Sequence, residues 1–221
     1  MLTGTTSGSG DRPVILVLGD SISAGYGVAV DKGWVGRLRA RIDAGGWPHR
    51  VVNASVTGDT TSAARARLPQ ALERHRPNVV VIQLGGNDGL RGLRLDAMRQ
   101  NLTRMVEATR DAGAQALLLG IRLPPNYGSA YVERFIGVYR EVAEATGAKL
   151  VPRVLEGVGE RRAFMQDDGI HPNADGHARI LDNVWPALKA LLRPPETSAL
   201  PGWSPRDGGV ADRPARRHRR G

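Results

Sequence analysis

The chain of 221 residues contains no cysteine. That absence excludes disulfides, thiolate metal sites and a cysteine nucleophile, and it leaves the redox compartment undetermined. No apolar run approaches the ~18 residues that a membrane-spanning helix needs. The opening stretch MLTGTTSGSGDRP has neither the basic n-region nor the apolar h-region of a secretory signal. As it stands the chain reads as cytoplasmic, or as periplasmic or secreted if a signal has been removed. Acid is scarce too: 31 basic residues face 22 acidic ones, for a formal charge of +9. Such a balance suits an anionic partner, yet no RNP-like, zinc-finger or other nucleic-acid reading element accompanies it. Six of the arginines sit in residues 194–221 against Glu196, Asp207 and Asp212, so that end carries +3 and the remaining residues +6. No internal repeat is visible.

What the sequence does contain is an alternation. Short apolar runs at 14–18, 50–53, 79–84, 116–121 and 148–151 are bounded by Gly, Pro or Asn, as expected of parallel strands covered on both faces. Between them, helical spacing covers about 33–44, 60–75, 95–112, 129–146 and 173–192. In the fourth, Tyr131, Phe135, Val138, Tyr139 and Val142 recur at intervals of three and four, with Gly147 placed as a stop. The expectation is an α/β sandwich with about five parallel strands, whose ligands bind beyond the strand C-termini. Residues 1–12, rich in Gly, Ser and Thr, read as a flexible lead-in, residues 13–192 as the domain, and residues 193–221 as a disordered basic tail.

The strand ends then line up. The first leads into Gly19-Asp20-Ser21, the second into NASVTGD at 53–59, and the third into Gly85-Gly86-Asn87-Asp88. Near the C-terminus DDGIHP at 167–172 brings an acid and an imidazole together. Ser21 needs a base, because a serine hydroxyl is a poor nucleophile at its own pKa. His171 can supply one, and Asp168 can reach its second ring nitrogen to fix the tautomer. Asp167 competes for that place. Backbone N–H groups in the Ser21 and Gly58 loops and the Asn87 amide can serve as oxyanion donors. Asp20 and Asp88 read as turn or hydrogen-bonding groups. The chemical rival is a metal site, since Asp167, Asp168, His171, Asp175 and His177 crowd one segment, but no H-E-x-x-H pattern is present and no metal or other cofactor is expected.

GDSIS, the glycine of SVTGDT, GGND and DGIH resemble, in order and spacing, the four sequence blocks of the GDSL or SGNH hydrolases. Further stretches, NASVTGDTT, QLGGNDGLRG, IRLPPNYG and MQDDGIHPN, are similar to its bacterial multifunctional thioesterase, arylesterase and lysophospholipase branch. The resemblance covers about residues 14–190. It implies a three-layer flavodoxin-like fold, Ser21 as nucleophile with Asp168 and His171 completing the triad, and an oxyanion hole from Ser21 N–H, Gly58 N–H and the Asn87 amide. Block spacing favours Asp168 over Asp167. Position 23 is serine where the larger α/β-hydrolases carry the last glycine of G-x-S-x-G, which favours a flatter, open site. Branch similarity implies acyl ester and thioester substrates, with Gly89, Leu90 and Leu93 on one loop and Leu123, Pro124 and Tyr127 on another as walls of the acyl groove. The alternatives are a carbohydrate O-deacetylase on the same fold and a basic nucleic-acid or surface-binding protein with a vestigial site. The expected partners are small acyl substrates, with no obligate nucleic acid. The tail's arginines leave room for weak contact with an anionic surface, and no feature sets an oligomeric state.

Overall fold

A computed structural model describes residues 12–194. The elements run β1 (Val14–Gly19), α1 (Ser21–Ala24), α2 (Trp34–Ala44), β2 (Arg50–Asn53), α3 (Thr61–His75), β3 (Val79–Gln83) and α4 (Gly86–Leu90), followed by α5 (Leu95–Asp111), β4 (Gln115–Leu119), α6 (Ser129–Thr146), β5 (Lys149–Val151) and α7 (Ala174–Lys189). The five strands form one parallel sheet in the order β2-β1-β3-β4-β5. The chain leaves β1 in one direction and returns on its other side at β3, so a crevice opens between the C-termini of those two strands.

The strands read as unbroken apolar runs because both faces are covered. Leu16, Leu18, Val80, Ile82, Ala116 and Leu118 pack under α3, α5 and α6. Their neighbours Ile15, Val17, Val79, Val81, Leu117 and Leu119 pack against α2 and α7. Side chains alternate across a strand, and here each set meets its own helix layer. The stripe on α6 is buried at Phe135, Val138, Tyr139 and Val142, and Gly147 ends the helix in the left-handed region.

Two elements differ from the sequence expectation. The loops read at Gly19-Asp20-Ser21 and Gly85-Gly86-Asn87-Asp88 run into short helices, α1 and α4, and these carry Ser21 and Asn87. Asp20 caps α1 by accepting from Ile22 N–H, which is why a turn-forming acid starts a helix there.

Residues 1–11 and 195–221, and with them nearly all of the expected lead-in and basic tail, lie outside the described residues. We place the end of the folded domain at Leu192, whose side chain is buried against the α2 and α7 layer with Leu188. Deleting residues 194–221 is then expected to leave small-ester kinetics unchanged and the thermal midpoint within about 2 °C, as for surface changes that touch no core. A larger drop in a melting experiment would move the boundary into the tail.

Candidate active site

Ser21 is the first residue of α1, held directly beyond β1. The fit is tight: a Cβ on Gly19 would lie 2.6 Å from the Cβ of Ser23 and 3.0 Å from Gln83 Oε1, so only glycine lets the strand run this close beneath the helix. Under the helix lies a buried polar chain. Trp34 Nε1 donates to Ser23 Oγ at 3.1 Å, Ser23 Oγ donates to Gln83 Oε1 at 2.6 Å, and Gln83 Nε2 donates to Asp20 Oδ1 at 3.1 Å. Each member is satisfied by the next, which fixes α1 against β3 and α2. Burial raises the Asp20 carboxyl to about 6, against the opposing pull of its hydrogen bonds from Ile22 N–H and Gln83.

His171 approaches from the loop between β5 and α7. Two features rigidify that loop. Met165 bridges to Pro172, and Asn173 caps α7 while its amide donates to the Ala163 carbonyl at 2.8 Å. Gly169, at φ +67°, makes the tight turn between them. Ser21 Oγ donates to His171 Nε2 at 2.9 Å, and His171 Nδ1 donates to Asp168 Oδ2 at 2.6 Å. Asp168 Oδ1 also accepts from Ile170 N–H at 2.8 Å and His171 N–H at 2.9 Å. The His171 and Ile170 bonds together pull the Asp168 carboxyl down to about 2, so it is anionic at any working pH. Asp167 instead turns outward to Arg162 at 3.3 Å. It is Asp168 that reaches the imidazole.

Of the expected oxyanion donors, Ser21 and Asn87 line the same crevice, and Gly58 sits on the loop that Asn87 bonds. Asn87 is on α4, and one hydrogen of its amide goes to the Asp59 carbonyl at 2.9 Å, which leaves the second for a ligand. Gly58, one residue earlier, takes φ +84°, a conformation that other residues rarely adopt. Arg67 braces this loop from below, donating to the Ala54 carbonyl at 2.6 Å and pairing with the Asp59 carboxylate at 2.5 Å. Ser21 N–H, at the helix start, has no intrahelical acceptor.

A groove of about 530 Å³ opens over Ser21 and His171, walled by Leu90, Ile121, Leu123 and Pro124 on one side and by Leu155, Met165 and Ile170 on the other. Three expected wall residues are not on it. Gly89 is buried behind the wall, where a Cβ would run into Phe135 at 2.6 Å and Leu123 at 2.8 Å. Leu93 faces a separate surface depression between α5 and α6. Tyr127 braces the wall from outside, its hydroxyl donating to the Leu90 carbonyl at 3.1 Å. The cause is α4: once residues 86–90 coil, Leu90 turns inward and Leu93, past the helix end, turns out.

The residues of the rival metal reading are dispersed. His177 is buried, its Nδ1 accepting from Trp34 N–H at 3.3 Å, and burial pushes it down to about 4, hence neutral. Asp175 lies in the first turn of α7. Among the described residues no group of three or more acids, histidines or cysteines is placed to hold a metal.

Several contributors escaped the sequence. The Tyr26 ring lies 4.6 Å from that of His171, tilted by 43°, and covers one face of the imidazole. Gln166 holds it there, donating to the Tyr26 carbonyl at 2.8 Å. Gln83 gave a usable signal, a polar residue closing the apolar run VVVIQ. Tyr26 and Arg67 gave none, since nothing local marks them.

Comparison with known proteins gives the family. The model of the GDSL-like Lipase/Acylhydrolase family matches residues 17–179. The chain is 52% identical over 178 residues to esterase TesA of Pseudomonas aeruginosa, covering 80% of this chain and 89% of that one. It is 41% identical over 180 residues to thioesterase 1/protease 1/lysophospholipase L1 of Escherichia coli K12, covering 80% and 84%. The crystal structure of TesA superposes with a TM-score of 0.80 at 51% identity, over 81% of this chain and 99% of that one.

Proposed function

Because the chain belongs to the GDSL-like lipase/acylhydrolase family, we propose that Ser21, His171 and Asp168 are the triad through which it works, with Ser21 N–H, Gly58 N–H and the Asn87 amide as its oxyanion hole. The protein is a hydrolase of acyl esters and thioesters. Ser21 Oγ attacks the acyl carbon while His171 Nε2 takes its proton, and Asp168 holds Nδ1–H and stabilises the imidazolium. Negative charge gathers on the former carbonyl oxygen, which the three proposed donors would stabilise. Return of the proton from His171 to the departing alcohol or thiol leaves an acyl-enzyme. Water, activated by His171, then releases the acid.

The observation that carries this reading is the unbroken relay, 2.9 Å from Ser21 to His171 and 2.6 Å from His171 to Asp168, at the floor of an apolar groove. That groove favours an acyl chain over an acetylated sugar. Each buried methylene contributes about 0.8 kcal/mol, roughly four-fold in kcat/KM while it still meets the wall. Wild-type and Asn87→Ala protein should be compared on p-nitrophenyl acetate, butyrate and octanoate, on an acyl-CoA and on an acetylated xylo-oligosaccharide. Rising kcat/KM along the ester series, turnover of the thioester and poor use of the sugar are expected. Asn87→Ala should lower kcat by about 10² to 10³ with KM little changed, since an oxyanion donor acts mainly in the transition state. Unchanged kcat in a folded variant would reduce Asn87 to a turn former. Preference for the sugar would favour a deacetylase.

A further inference from the structure

Among the described residues, six large apolar side chains are exposed: Tyr26, Val30, Val56, Leu93, Tyr127 and Ile170. Single exposed apolar residues are ordinary; a grouping is not. All six lie on the edge of the sheet that holds the site. Tyr26 and Val30 follow β1, Val56 follows β2, Leu93 follows β3, Tyr127 follows β4 and Ile170 follows β5. The loops at the opposite edge, which lead into the strands, contribute none.

The Val56, Leu93 and Tyr127 loops are stitched around α4. Arg91 Nη2 donates to the Gly58 carbonyl at 3.1 Å, Tyr127 Oη to the Leu90 carbonyl at 3.1 Å, and Leu93 N–H to the Asp88 carbonyl at 2.9 Å. The same side carries Arg91, Arg94 and Arg122, none in an ion pair among the described residues. Most acids of this edge are buried or engaged, while Glu133, beside Leu93 and Arg94, and Glu160, on the groove, are exposed and outside any ion pair among the described residues. Asp20 and Asp88 are buried, Arg67 holds Asp59, Arg153 holds Glu156 and Arg162 holds Asp167. The rim beside the groove is therefore apolar and cationic together.

We propose that this rim is a docking face for an anionic lipid surface, with Val56, Leu93 and Tyr127 entering the interface and Arg91, Arg94 and Arg122 meeting lipid phosphates. The inference rests on the acyl-hydrolase reading, because it brings the groove mouth to where acyl substrates reside. Here arginines interleave with the grouped apolar side chains, the composition of elements that lie in a headgroup layer.

The test uses the full chain carrying Ser21→Ala, so that lipid is not consumed, with Leu93→Asp and Arg94→Glu added separately. Binding to phosphatidylcholine vesicles with and without phosphatidylglycerol is measured at low and high salt, and both substitutions are also made in the active protein. The parent should bind the anionic vesicles preferentially and release them as salt rises. Arg94→Glu should weaken binding about ten-fold or more, and Leu93→Asp should weaken it too. Both active variants should hydrolyse soluble p-nitrophenyl acetate at the wild-type rate and lose turnover on lysophospholipid dispersed in the same vesicles. Unchanged vesicle binding in both variants would overturn the proposal and assign the attraction to the C-terminal arginines, identical in every protein compared. Binding to an acidic acyl carrier protein with none to vesicles would overturn it in favour of a protein partner. Vesicle binding by a wild-type protein inert on soluble esters would sink the hydrolase reading and leave the docking face standing.

Discussion

Ser21→Ala is expected to abolish fluorophosphonate labelling and to lower ester turnover by on the order of 10⁶, the scale reached when a triad nucleophile is removed. The expectation follows from what remains. Without Oγ there is no atom 2.9 Å from His171 Nε2 to carry the acyl group, and the donors around Asn87 can only polarise a bound carbonyl toward water. The substitution is mild structurally, because the hydroxyl's recorded partner is His171 and the buried chain beneath runs through Ser23, Gln83 and Asp20 instead. Thermal midpoint and substrate binding should therefore hold while kcat collapses. Retained labelling in purified Ser21→Ala protein would falsify the nucleophile assignment.

The parts of the site legible in the sequence are those that local rules place. Parallel strands must end on one edge, so runs ending at Gly19, Asn53 and Gln83 deliver their loops to one crevice. The Asp168 and His171 contact is local as well, being closed within one turn. What was illegible depends on packing between distant segments. Gly-Asn-Asp at 86–88 reads as a turn by composition, yet it coils because α4 packs against Phe135 and Leu123, and that coil decides that Leu90 faces the groove while Leu93 does not. Tyr26 meets His171 only because Gln166, 140 residues later, holds its carbonyl. Arg67 is an unremarkable helix residue until the fold brings Ala54 and Asp59 beneath its guanidinium.

Asp168→Asn is expected to reduce kcat by about 10⁴ at neutral pH, although it removes almost no volume. The hydrogen bonds dictate why. Oδ1 accepts from Ile170 and His171 N–H at 2.8 and 2.9 Å, leaving Oδ2 to face the ring at 2.6 Å. An asparagine keeps its oxygen on the two backbone donors, so its NH₂ must point at His171 Nδ1. That forces Nδ1 to accept and puts the ring proton on Nε2, the atom that should take the proton from Ser21. Loop and protein stay folded while the base is held in the wrong tautomer. The charge also has a pH signature. The folded-state pKa lies at about 2, below the ordinary value of 3.8, so the carboxylate's contribution to stability is present above the unfolded value and lost as pH falls through about 2. Melting of wild-type and Asp168→Asn protein should accordingly differ at neutral pH and converge between about pH 4 and 2, the window that linkage sets for this shift. Near-wild-type turnover in the variant would return the orienting role to Asp167 or dispense with it, and a gap that persists at acid pH would separate the stability effect from the ionised carboxylate.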